Sequence, residues 1–265
     1  MLMSKLVCAL GSEPVPASPA CAVRICDEYG SEAKLIQSSL LPTTGLCHEF
    51  AEVAFRFIPF HDVGGDFADF FVLPDGLIGI YLGDVVGKGL PAAMYSALVM
   101  GVLRGIHKTG TDTARVLAML NERLVQRPIP GRFCSTLYAL FNPATRELIF
   151  SNAGMPLPLL ASPTHYRELG EGGLPSAMFP HATYQRHVVQ LSPGDCVLFA
   201  SDGLHELRNR DDVEFCAAEM KDVWASCWRK TATQSVDAVF ERMLAFSDGA
   251  APHDDITAVV LKVLP

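Results

Sequence analysis

The sequence predicts an α+β fold in which antiparallel sheets carry helices on their outer faces. Three observations lead there. β-Branched, aromatic and apolar runs come in neighbouring pairs separated by short polar connections, the pattern of hairpins. Between them lie longer segments with apolar residues at helical spacing. Strands and helices are mixed without β–α–β alternation, which argues against a parallel sheet.

Taken in order, "GSEPVPASPA" at residues 11–20 is rich in proline and small residues, so residues 1–29 read as a flexible leader and residues 30–265 as the folded domain. Neither an internal repeat nor a second boundary is evident. "SEAKLIQSSLLP" places Leu35, Ile36, Leu40 and Leu41 at amphipathic spacing and is stopped by Pro42, which predicts a short helix. Strands follow over 50–58, 70–73 and 77–82, the last two joined by a tight turn at "PDG". Pro91 suits the first turn of a helix reaching His107, apolar over much of its circumference and therefore packed on a sheet. A second helix over 112–126 aligns Val116, Leu117, Leu120 and Leu124. "FCSTLYALFNPATRELIFSNAG" reads as a hairpin. Strands are expected over 184–191, 196–200 and 256–263, and helices over 213–228 and 235–246.

Composition narrows the function. Acidic residues outnumber basic ones by 29 to 21, and no basic run can neutralise a phosphate backbone, so nucleic acid is disfavoured as a partner. Eight cysteines without a C-x-x-C pair, in a chain large enough to need no staples, fit reduced thiols in the cytoplasm. The first apolar run is short for a signal peptide, and "AAMYSALVMGVLRGI" is interrupted by Arg104, so neither export nor a membrane span is expected.

The stretch "GDVVGKG", Gly83 to Gly89, invites comparison with the phosphate-binding loop G-x-x-x-x-G-K-[ST]. It is one residue short and lacks the hydroxyl, so a nucleotide-binding module loses both geometry and metal ligand. Aspartates beside apolar runs carry more: Asp66, Asp84, Asp202, and the pair Asp254 and Asp255. Any one of them alone reads as a turn residue. Together, without histidine or cysteine partners, they suit hard divalent cations, which prefer oxygen ligands. Two cations sharing a carboxylate can activate water for in-line attack on phosphorus. Covalent routes find no support, because C-x5-R, D-x-D and G-x-S-x-G are all missing.

"AKLIQSSLLP", "FHDVGGDFADFFVLPDGLIGIYLGDVVGKGLPAAM", "STLYALFNPATRELIFSNAGMPLPLL", "GGLPSAMFPHATYQ", "LSPGDCVLFASDGLHELRN" and "DDITAVVLKV" together resemble, in order, the blocks of bacterial RsbU/SpoIIE-type serine/threonine phosphatases of the metal-dependent PPM superfamily. The likeness runs over residues 33–263. It implies an α/β/β/α sandwich, two antiparallel sheets face to face with helices outside, and a binuclear Mn2+ or Mg2+ site at one edge. By similarity Asp84 bridges both metals, Asp202 and Asp254 complete one, and Asp66 with the Val85 carbonyl serves the other. Asp84 and Asp202 are thereby the catalytic acids, and Asp255 is a neighbour. The implied substrate is a phosphorylated protein, such as a STAS-type anti-sigma-factor antagonist, with a regulatory protein acting at the helix near residues 33–41.

Other motif residues have ordinary readings. Lys88 is a solvated side chain or a phosphate contact, His205 and Glu206 form the polar face of a helical turn, and His253 is a hydrogen-bonding neighbour of Asp254. Met155 stands where the family has histidine. That departure motivates the alternative of a catalytically impaired phosphatase-fold interaction protein.

Overall fold

Strand registers divide the chain into two sheets in the computed structural model, which describes residues 32–107, 112–215 and 217–265. Residues 1–29, expected to form a flexible leader and containing Cys8, Cys21 and Cys26, lie outside the described residues, as does Cys216. The first sheet is formed by β1 (Leu46–His48), β2 (Ala51–Ile58), β7 (Leu159–Ala161), β8 (Tyr166–Glu168), β10 (Cys196–Ala200) and β11 (Ile256–Val263), in the order β1-β2-β11-β10-β7-β8. The second contains β3 (Phe67–Val72), β4 (Ile78–Val85), β5 (Cys134–Asn142), β6 (Glu147–Ala153) and β9 (His187–Gln190), in the order β3-β4-β5-β6-β9. Every pairing is antiparallel.

Side-chain alternation sends Ile78, Ile80 and Leu82 of β4 inward, where they meet Val197 and Phe199 of β10 and Val259 and Leu261 of β11. The opposite face of β4 and β5, with Tyr81 and Tyr138, is covered by α2 (Gly89–Ile106) and α3 (Thr113–Val125). On the far side, α5 (Ala217–Trp224) and α6 (Ala232–Ser247) cover the first sheet, burying Trp224, Val236 and Val239 on Leu198 and Val260. β10 and β11 are covered on both faces, which is why they are largely apolar, with Thr257 and Lys262 the polar exceptions in β11. A helix at residues 32–40, α1, precedes the sheets, and a single turn, α4 (Asp202–His205), follows β10.

The two-sheet sandwich is as expected, and the differences from the sequence reading have local causes. β1, β7 and β8 were not anticipated, since three residues are too few to display alternation. β4 runs on through Gly83 to Val85 rather than ending at Leu82. Gly83 is a strand residue because the Phe67 ring fills the place of a side chain, 2.2 Å from where a Cβ would stand. The helix expected over 213–228 is confined to α5, with a 3-10 turn at Cys227–Arg229. α6 begins at Ala232, fixed by a capping box between Thr231 and Gln234. Among the described residues α2 alone is long and apolar enough to cross a membrane, and it buries Tyr95, Val99, Met100 and Leu103 in protein.

Candidate active site

Antiparallel register brings one end of five strands to the same edge. Ile256 opens β11 opposite Ile58, the last residue of β2, and Ala200 closes β10 opposite Ala258. In the facing sheet Phe67 opens β3 opposite Gly83. Asp66 immediately precedes β3, Asp84 is the penultimate residue of β4, Asp202 follows β10, and Asp254 precedes β11. Four acids far apart in sequence therefore share one rim.

Their environments differ. Asp66 is buried, and its Oδ2 accepts a 2.6 Å hydrogen bond from Thr257 Oγ1, tying the two sheets together. Burial, then the charge of Asp84, pushes its carboxyl well above the usual carboxylate range against the hydrogen bond from Thr257. Asp84 is raised from 3.8 to about 7 by burial and then by the charges of Asp202 and Asp254, with a hydrogen bond to Asp66 opposing. Asp202 is raised by burial and by Asp254. Its carboxyl is at the exposed side of the rim. Like charges gathered in this way favour protons or cations.

Asp255 is the correction the structure makes to the sequence reading. Although next to a proposed ligand, it is a buried organiser rather than a bystander. Its Oδ1 accepts from Phe60 N at 2.7 Å, and its Oδ2 accepts from Gly65 N at 2.6 Å and Asp66 N at 3.4 Å. The same loop is gripped from the other side by Gln37 of α1. Its amide donates to Gly64 O at 2.7 Å and accepts from Gly64 N at 3.1 Å. No motif announced Gln37. Arg104 seats the end of α1, bonding Leu40 O at 2.6 Å and Asp69 at 2.8 Å.

Lys88 is held at the rim rather than freely solvated. Its Nζ lies 3.0 Å from Asp254 Oδ2, donates to the His253 carbonyl and sits over the Phe60 ring. His253 is exposed and meets this network through its backbone oxygen. His205 is half-buried; burial lowers its pKa against the charges of Asp202 and Glu168. Glu206, at the end of the same turn, is exposed. Met155 is buried in the core between the sheets, and its turn is closed by Asn152, which bonds Met155 N and O at 2.8 Å each.

The donor set fits a hard divalent cation. A Cβ on Gly65 would stand 2.7 Å from the Val85 carbonyl oxygen and 3.3 Å from Asp84 Oδ1, so only glycine fits against these two oxygens. All donors are oxygens, as Mg2+ and Mn2+ prefer. The cluster is open: among the described residues no three acids, histidines or cysteines close on one point as a ready-made cage, and Asp254 is engaged by Lys88.

The family described as Stage II sporulation protein E (SpoIIE) matches residues 74–264, well over half of the chain. The chain belongs to the SpoIIE family. Asp84, Asp202 and Asp254 fall within the SpoIIE match; Asp66 and Gln37 precede it. The phosphoserine phosphatase RsbU of Bacillus subtilis is 24% identical over 229 residues, covering 86% of this chain and 68% of that protein. Protein IcfG of Synechocystis sp. is 22% identical over 258 residues, and there the match spans 40% of the longer relative. In structure, the SiaA-PP2C domain of Pseudomonas aeruginosa aligns with a TM-score of 0.81 at 20% identity, covering 92% of this chain and 99% of that one. The PP2C phosphatase domain of SpoIIE from Bacillus subtilis, with a fragment of its regulatory domain, aligns at 0.68 and 19% identity, over 79% and 63%. The fold is that of PP2C phosphatase domains. This SpoIIE-family chain is a phosphoprotein phosphatase of the RsbU and SpoIIE type.

Proposed function

We propose that the chain removes phosphate from phosphoserine or phosphothreonine of a partner protein in the bacterial cytoplasm, using two divalent cations, Mn2+ or Mg2+. The observation that carries this reading is the meeting of Asp66, Asp84, Asp202 and Asp254 with the Val85 carbonyl at one sandwich edge. In this reading Asp84 would serve both cations, Asp202 and Asp254 would hold one of them, and Asp66 with the Val85 carbonyl would hold the other. Bound cations would supply a water of lowered pKa and offset charge on the phosphoryl oxygens. The chain's own residues then have distinct tasks. Asp84 would serve as a ligand in its carboxylate form, Thr257 orients Asp66, and Asp255 holds the backbone between Phe60 and Asp66. Lys88, on Asp254 and the His253 carbonyl, holds the backbone that leads into β11.

The kinship with RsbU supports a place in partner-switching signalling, with a phosphorylated STAS-domain protein as substrate. A regulatory protein fits best at α1. There a cavity of about 130 Å³ is lined by Ile36 and Leu40 of α1 and by Leu90 and Met94 of α2, with Leu35 exposed beside it. Any movement of α1 reaches Gly64 directly through Gln37.

The test is release of phosphate from a phosphoserine peptide with and without Mn2+. Turnover is expected with the metal, lost on chelation and abolished in Asp84→Asn. Metal binding by the wild type without turnover of any phosphoserine or phosphothreonine substrate would overturn the proposal.

A further inference from the structure

We infer that Arg132 grips the phosphoryl oxygens of the substrate. The inference rests on the phosphatase reading above and adds a residue that neither motif nor family match singled out. A phosphomonoester has more oxygens than the cations would engage, and a fork of N–H donors close to the carboxylate-bearing loop would hold and orient the others. Lys88 does not serve, because its ammonium is committed to Asp254 and the His253 carbonyl.

Arg132 lies in the segment leading into β5, and the register Val85↔Cys134 sets it beside the end of β4. Its Nη1 donates to the Val86 carbonyl, one residue beyond the Val85 oxygen. The guanidinium covers Gly87. A Cβ there would stand 2.1 Å from Nη1 and 3.6 Å from Nη2, and the positive φ of Gly87, 104°, also favours glycine. Room has thus been left for the arginine over the very loop that joins Asp84 to Lys88. Among the described residues no carboxylate lies within ion-pair distance of it. A guanidinium has five N–H donors in a planar fork. One is anchored on Val86, the side chain is half-buried, and the rest of the fork is uncommitted. Such a fork matches phosphate oxygens in a way a point charge cannot.

The experiment compares wild type, Arg132→Ala and Arg132→Lys, all loaded with Mn2+, for KM on a phosphoserine peptide, inhibition by inorganic phosphate, Mn2+ affinity and thermal midpoint. Arg132→Ala is expected to raise KM and weaken phosphate inhibition by about tenfold or more, with Mn2+ affinity unchanged; Arg132→Lys should fall between. If Arg132→Ala does not fold, Arg132→Lys decides by the same two readouts. Unchanged phosphate inhibition in the folded variants overturns the inference. So does a loss that tracks Mn2+ affinity, which would make Arg132 a support of the Val86 loop. A wild type that neither turns over the peptide nor responds to phosphate overturns the phosphatase reading, and this inference with it.

Discussion

Replacing Gln37 with methionine isolates the contact between α1 and the rim. The side chain is 8% exposed, and methionine keeps its length while removing both the donor to Gly64 O and the acceptor for Gly64 N. Gly64 is buried, so its two backbone groups would be left without partners. Each orphaned group costs about 1–3 kcal/mol, and partial access of water to a loosened α1 reduces the sum, so a loss of about 2–4 kcal/mol follows. At 1.4 kcal/mol per tenfold, that is roughly a 30- to 700-fold shift towards an undocked α1. Two readouts follow it. The urea midpoint should fall, and Mn2+ affinity should fall with it, because Gly64 adjoins the Gly65–Asp66 backbone held by Asp255. Gln37→Glu keeps an acceptor but sets a buried carboxylate against the Gly64 carbonyl, so its defect should be no smaller. An unchanged midpoint together with unchanged Mn2+ affinity in Gln37→Met would refute the reasoning, since the clasp would then hold nothing that matters to the rim.

Two further outcomes follow from the acids. Asp84 has a folded pKa raised to about 7, above its unfolded value of 3.8, so the folded state keeps a proton that the unfolded state has released. The metal-free protein should therefore lose stability as pH rises through this window, by about 1–3 kcal/mol after allowing for solvent. Thermal midpoints from pH 4 to 8 in chelator test this, with Asp84→Asn expected to flatten the slope and Mn2+ to restore stability at the upper end. A flat profile in the wild type would show that the carboxylates do not burden one another. Asp255→Asn keeps one acceptor oxygen but turns an amide N–H₂ towards backbone donors, and a net loss of about 2 kcal/mol is expected in urea unfolding. An unchanged midpoint would deny Asp255 its organising role.

Legibility in the sequence tracked how local each signal was. The hairpin from β5 to β6 and the helices α2 and α3 were readable because alternation and helical spacing extend over many residues. The three-residue strands were not, since they exist only by pairing with longer neighbours. Gly83 falls outside the strand expected over 77–82 because its reason for being glycine is the ring of Phe67, fixed by cross-strand register. The acids Asp66, Asp84, Asp202 and Asp254 were legible as candidates, being conspicuous beside apolar runs. Asp255 was legible as a residue but not as a role.

What the sequence determined by itself is the supply: alternating apolar strands that must pair, amphipathic helices that must cover them, and carboxylates placed beside the apolar runs. Tertiary structure alone decided which of those groups face one another. Two sheets packed face to face, with strand ends at a common rim, set Thr257 on Asp66 across 191 positions and Asp255 on Gly65 across 190. Gln37 and Arg132, isolated polar residues in their own segments, acquired partners only when Gly64 and Gly87 came beside them. Side-chain periodicity reports which face is buried; it does not report what a distant backbone carbonyl will need.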